Sequence, residues 1–189
     1  MAKILAVYGT HYGQTKKIVT RLGKLLAAYG HHVTAWQGDQ LPEDFSIEEF
    51  DAFLVAGSVH FGRHQVYLRD FVRRHRMRLN TAPAAFISVC GALAGNWAPG
   101  PEAARGYLER FFAETGWAPS VSRSAAGAVA YTKYGFFTRH IMRFISAQTG
   151  RPTDTSRDWE FTDWDEIDRL GMELADRLAG SAVPLTTGA

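Results

Sequence analysis

The sequence predicts an α/β protein: a five-stranded parallel sheet with helices on both faces and a helical segment inserted before the last helix. Two observations carry this. Short apolar runs alternate five times with stretches whose apolar residues recur at helical spacing. Three polar or glycine-rich loops follow the first, third and fourth runs, where a parallel sheet presents its carboxyl ends. The chain has 189 residues, of which 46% are hydrophobic. That is enough for one domain with a full core, expected over residues 1–180, with 181–189 as a flexible tail.

Lys3 to Tyr8 reads as a buried strand closed by Gly9. Gln14 to Tyr29 is a helix, because Ile18, Leu22, Leu25 and Tyr29 fall on one side with Lys16, Lys17, Arg21 and Lys24 elsewhere. Gly30 ends it. His31 to Trp36 is the second strand, followed by a polar loop with at most a short helix near Ile47 to Phe50. Ala52 to Ala56 is apolar throughout, as a central strand would be. Gln65 to Leu79 is a helix that carries Arg69, Arg73, Arg74, Arg76 and Arg78 either as a solvated face or as an electropositive surface. Ala84 to Val89 is the fourth strand, Glu102 to Thr115 a helix, and Ser124 to Ala130 the fifth strand. Thr162 opens the last helix, with carboxylates in its first turn.

Tyr131 to Trp159 is surplus to a five-stranded fold. Phe137, Ile141, Phe144 and Ile145 predict a helix from about Gly135 to Gln148, with Arg139 and Arg143 sharing a face. Lys133, Arg139, Arg143, Arg151 and Arg157 stand against Asp154 and Asp158 in this insertion. Basic residues among aromatics suit a membrane surface or an anionic aromatic ligand, or a helix packed onto the domain.

Charge and composition narrow the function. The formal net charge of +2 argues against a strongly acidic electron carrier, and no nucleic-acid partner is expected. Cys90 is the single cysteine, so neither an intramolecular disulfide nor a cysteine zinc site is expected, and no metal. No apolar run is long enough to span a bilayer and Met1 leads straight into a strand. A cytoplasmic protein is therefore expected, whether free or peripheral on the inner face of the membrane.

The chemistry is expected in the loops. Thr10-His11-Tyr12-Gly13-Gln14-Thr15 offers hydroxyls, a glycine and a helix start, which together suit a phosphate. It is neither a P-loop nor a G-x-G-x-x-G fingerprint. A phosphate there would leave a flat ring between Ser58 to His64 and Cys90 to Trp97, on which Phe61 or Trp97 could stack. No catalytic triad is visible. With no acid in either ring loop and Arg63 nearby, an easily reduced ring with little one-electron-reduced form is expected.

The pattern [TS]-x-x-G-x-T after a first strand resembles the flavodoxin-like fold, whose sheet order is 2-1-3-4-5 and whose loop holds the phosphate of FMN. The ordered set YGTHYGQT, AGSVHFGRH, RLNTAPAAFISV, GAVAYTKYGFFTRHIMRFI and TDTSRDWEFTDW resembles, more narrowly, the menaquinone-dependent protoporphyrinogen IX dehydrogenases. The resemblance covers roughly Lys3 to Ala179. It implies FMN with its phosphate at Thr10, Gly13 and Thr15 and its ring lined by Ser58-Val59-His60-Phe61-Gly62 and Ser88-Val89-Cys90-Gly91-Ala92-Leu93, a porphyrinogen substrate and a respiratory quinone as acceptor. It also implies an insertion whose Arg139 and Arg143 face substrate or membrane; Arg63 and Trp97, in the loops beside the ring, are the other residues expected at the substrate. Cys90 to Pro101 departs from the family, which carries basic residues in that loop. A flavodoxin-like quinone reductase and an FMN electron carrier are the alternatives; the sequence leaves the oligomeric state open.

Overall fold

The computed structural model describes residues 1–181. Strands β1 (Lys3–Gly9), β2 (His32–Gln37), β3 (Ala52–Ser58), β4 (Ala84–Cys90) and β5 (Val121–Ala126) form one sheet in the order β2-β1-β3-β4-β5, all parallel. Helices α1 (Gln14–Ala28) and α5 (Trp164–Ser181) cover one face. Helices α2 (Val66–Thr81) and α3 (Gly100–Thr115) cover the other. The three inner strands have apolar residues at nearly every position because both faces are buried. Side chains nonetheless alternate: Ile4, Ala6 and Tyr8 pack under α1 and α5, while Leu5 and Val7 pack under α2 and α3. Of the arginines of α2, Arg69 pairs with Glu114 at 2.6 Å and Arg78 with Glu48 at 3.3 Å, while Arg73, Arg74 and Arg76 are exposed.

The sheet runs as expected, with one correction at its edge. The fifth strand begins at Val121, three residues earlier than expected, and ends at Ala126. The Gly127 amide then donates to the Cys90 carbonyl, and the chain turns out of the sheet. Ala128–Val129 (β6) instead pairs antiparallel with Trp159–Glu160 (β7). This ribbon closes the neck of the insertion, which contains α4 (Phe136–Gln148).

The last helix begins at Trp164 rather than Thr162, because Asp163 Oδ1 accepts the Glu166 amide in the manner of an N-cap. Thr162 is a latch instead: its hydroxyl donates to the Ala126 carbonyl and accepts from Gln14 Nε2, both at 2.8 Å. Helix α5 runs to Ser181, and the rest of the expected tail, 182–189, lies outside the described residues.

Candidate functional site

The loops after β1, β3 and β4 meet at the carboxyl end of the sheet, on either side of the point where strand order reverses between β1 and β3. Gly13 caps α1 with φ +96, a left-handed conformation that glycine adopts at little cost. Its amide donates to Thr10 Oγ1 at 2.9 Å. Thr15, in the first turn of α1, is fully buried, and its hydroxyl has no partner among the described residues. A buried orphan hydroxyl beside free helix N–H groups suits an anion. Lys133, from the insertion, donates to the Tyr12 carbonyl at 2.5 Å and adds positive charge there.

The loop after β3 is locked to the first. Gln65 reaches back from the start of α2, donating to Ser58 Oγ, and lies 2.9 Å from His11 Nδ1. His11 stacks on His60 with ring centroids 4.4 Å apart. Burial, and secondly His60, hold the His11 pKa below its ordinary value. His60 and Arg63 exchange backbone hydrogen bonds, which closes a tight turn. Its central residues Phe61 and Gly62 both have positive φ, +48 and +74. Glycine suits that backbone and phenylalanine does not. The turn thus holds Phe61 at the cavity mouth, 93% exposed.

The loop after β4 is braced by the insertion. Arg151 Nε donates to the Ala94 carbonyl at 2.8 Å and Nη2 to the Gly91 carbonyl at 2.7 Å. The Asn96 amide donates to the Thr149 carbonyl. Gly95 permits this docking, because a Cβ there would stand 2.7 Å from both the Arg151 side chain and the Thr149 carbonyl oxygen.

Between these loops lies a cavity of about 390 Å³. Its floor and walls include Thr10, His11, Tyr12, Gln14 and Thr15; Ser58, Val59, His60 and Phe61; and Val89, Cys90 and Gly91. Residues that sequence reasoning had not placed there complete it. Gly127, Ala128 and Val129 come from the strand exit, and Tyr134, Thr138, Ile141, Met142 and Ile145 form a roof. Arg151 closes one side. Burial raises the Cys90 thiol pKa, so the sulfur stays protonated.

Several expected site residues stand elsewhere. Gly13 and Gly62 shape turns without lining the cavity. Ser88 is fully buried beneath it and faces His64 Nε2 at 3.0 Å. Ala92 and Leu93 pack toward Ala104. The four residues expected at a substrate do not line the cavity either. Arg63 lies 3.8 Å from Glu114, and Trp97 packs over the start of α3. Arg139 donates to the carbonyls of Tyr131 and Tyr134, and Arg143 stands on the exposed side of α4. Spacing put Arg139 and Arg143 on one face; it could not show that the first bends inward to hold backbone. Among the described residues no cluster could hold a metal, and no helix is long and apolar enough to cross a membrane.

The residues present suit a phosphate joined to a flat ring: an orphan hydroxyl and helix N–H groups at one end, and an apolar slot between two loops at the other. A flavodoxin domain is matched over residues 5–156, and the chain belongs to that family. The fold is shared with oxidised flavodoxin 1 from Bacillus cereus, with a TM-score of 0.56 at 14% identity, covering 92% of this chain and 97% of that one. It is likewise shared with rubredoxin oxygen:oxidoreductase from Desulfovibrio gigas, with a TM-score of 0.60 at 13% identity, covering 96% of this chain and 37% of that one. The narrower resemblance is borne out by curated relatives. Protoporphyrinogen IX dehydrogenase [quinone] of Escherichia coli K12 is 27% identical over 173 residues, 92% of this chain and 94% of that protein. The Leishmania major protein of the same name is 27% identical over 177 residues, 92% of this chain and 74% of that one.

Proposed function

We propose that the protein is an FMN-dependent oxidoreductase that oxidises protoporphyrinogen IX to protoporphyrin IX and passes the electrons to a respiratory quinone. The observation that carries this is the apolar roof that α4 lays over the cavity. A small electron carrier needs an exposed ring edge, whereas a roofed chamber suits a bulky apolar reductant held against the ring. When bound, FMN supplies the two-electron acceptor. Thr10 and Thr15, the first N–H groups of α1 and Lys133 hold its phosphate. Ser58 to Phe61 and Val89 to Gly91 flank the ring, with Phe61 poised to stack. Thr138, Ile141, Met142 and Ile145 exclude water and pack against the macrocycle, which loses hydrogen atoms in pairs.

The outer side of α4 supports a membrane role in the same reading. Phe136, Phe137 and Phe144 are 71%, 81% and 66% exposed, with Arg143 among them. A helix with apolar residues outward and a cation at the level of lipid phosphates suits the surface of an anionic bilayer. A lipid-soluble quinone then reaches the cavity past the helix that roofs it.

An anaerobic turnover assay tests the function. FMN-loaded protein, protoporphyrinogen IX and a menaquinone analogue in detergent are expected to give porphyrin fluorescence that requires both FMN and quinone. Bound, reducible FMN without porphyrin formation would overturn the substrate assignment. For the membrane contact, flotation with phosphatidylglycerol-containing vesicles is expected to recover the protein, and Phe136→Ser/Phe137→Ser/Phe144→Ser to abolish recovery. Equal flotation of both would remove α4 from that role.

A further inference from the structure

Arg151 is the cation that the loop after β4 lacks. Cys90 to Pro101 contains no basic residue, yet the insertion lays a guanidinium across that loop from a position 60 residues on. The side chain is 9% exposed and lines the cavity. No carboxylate pairs with it among the described residues; the titratable neighbours that act on it are two phenols and a thiol, Tyr131, Tyr134 and Cys90. A buried guanidinium cannot shed its proton, so it stays an uncompensated positive charge. Two of its nitrogens are fixed on the carbonyls of Ala94 and Gly91. The third, Nη1, makes no hydrogen bond among the described residues and lies 3.8 Å from where a Gly91 Cβ would stand. Arg63, the cation expected near the ring, is drawn off toward Glu114.

We propose that Arg151 is the anion-binding residue of the ring slot, and that it holds the reduced, negatively charged form of the flavin more tightly than the oxidised form. This rests on the FMN reading above. Adding two electrons and one proton to the neutral ring leaves one negative charge on it. A fixed cation within the low-dielectric wall favours that charge, and needs no reorganisation to do so. The Gly91 and Ala94 carbonyls hold the guanidinium in place and aim it.

The test measures redox preference. Apoprotein is reconstituted with FMN, and the dissociation constant of oxidised FMN and the two-electron midpoint potential are measured for the wild type, Arg151→Gln and Arg151→Lys. The glutamine amide can still donate to the Gly91 carbonyl, so the loop keeps a brace without the charge. Arg151→Gln is expected to lose about tenfold in preference for reduced over oxidised FMN. For a two-electron couple that is a potential about 30 mV more negative. Arg151→Lys is expected to stay near the wild type. Equal weakening of both redox states by Arg151→Gln would make Arg151 a brace only and overturn the proposal. An unmoved potential with a raised KM for the porphyrinogen would overturn it too, and assign the cation to a substrate carboxylate. A wild type that binds no FMN would overturn the flavin reading itself, which is a different failure.

Discussion

Gln65 Nε2 donates to Ser58 Oγ at 2.6 Å, joining the residue that caps α2 to the last residue of β3. The same nitrogen lies within reach of His11, so one amide ties the two loops that frame the cavity. Gly9 makes this contact geometrically admissible, since a Cβ there would stand 2.4 Å from Gln65 Oε1. Gln65→Ala leaves Ser58 Oγ and His11 Nδ1 only each other, 3.3 Å apart. We expect a loss of about 1 kcal/mol of stability and weaker FMN binding, read by urea unfolding and fluorescence titration. Wild-type affinity in the variant would show that the two loops hold their positions independently.

Thr15→Val replaces the orphan hydroxyl by a methyl of similar shape. Without ligand the protein is expected to gain stability, because an unsatisfied buried polar atom is removed at a cost otherwise of about 1–3 kcal/mol. FMN affinity is expected to fall by about tenfold or more, the loss of a charge-assisted hydrogen bond. Thermal melts with and without FMN read both signs at once. A destabilised unliganded variant would mean that the hydroxyl has a partner inside the protein.

Phe61→Gly is expected to behave in parallel. A left-handed backbone costs a non-glycine residue about 1–2 kcal/mol, so relaxing it raises the melting temperature of the unliganded protein, less the extra chain entropy of glycine. The ring that the turn displays is then lost, and affinity for FMN or substrate falls. Unchanged affinity for both would leave Phe61 without a role at the cavity.

His64 sets an acid limit on stability. Burial, then Arg69, presses its pKa down to about 4. Above about pH 6.5 the ring is neutral in both the folded and the unfolded chain. Between there and about 4 the unfolded chain takes up a proton that the folded one refuses, so stability falls as the pH falls. Below that window the loss is complete, at roughly 3 kcal/mol. His64→Gln, which can still bond Ser88, is expected to flatten this limb of the curve of unfolding free energy against pH. An unaltered slope would mean that other groups control acid unfolding.

The alternation of apolar runs with helical periodicity was enough for the parallel sheet, because Leu5, Val7, Phe53 and Val55 had no polar partners with which to form an exposed face; the strand order came from the resemblance to the flavodoxin-like fold. The three loops were legible for the same reason: glycine and hydroxyl residues gather where backbone must approach a ligand. The roof was half legible. The spacing of Ile141 and Ile145 announced a helix, but a helix apolar on several sides gives no sign of which side meets the cavity. Arg151 counted among the basic residues of the insertion, but nothing local set it apart from Arg139, Arg143 or Arg157. It sits in a polar turn between Gly150 and Pro152, and only the docking of Thr149 onto Asn96 brings it to Gly91. Gly127 was read as part of a continuous strand, because nothing local distinguishes a strand that keeps its partner from one that changes it.

The β6–β7 ribbon means that the chain leaves the domain and returns to it at adjacent points, Val129 opposite Trp159. Closing a longer or shorter excursion above a fixed neck changes the free energy only logarithmically with length. The excursion can therefore lengthen or shorten without re-threading the sheet, provided that the contacts tying it to the loops beneath, Lys133 to Tyr12 and Arg151 to Gly91, are kept.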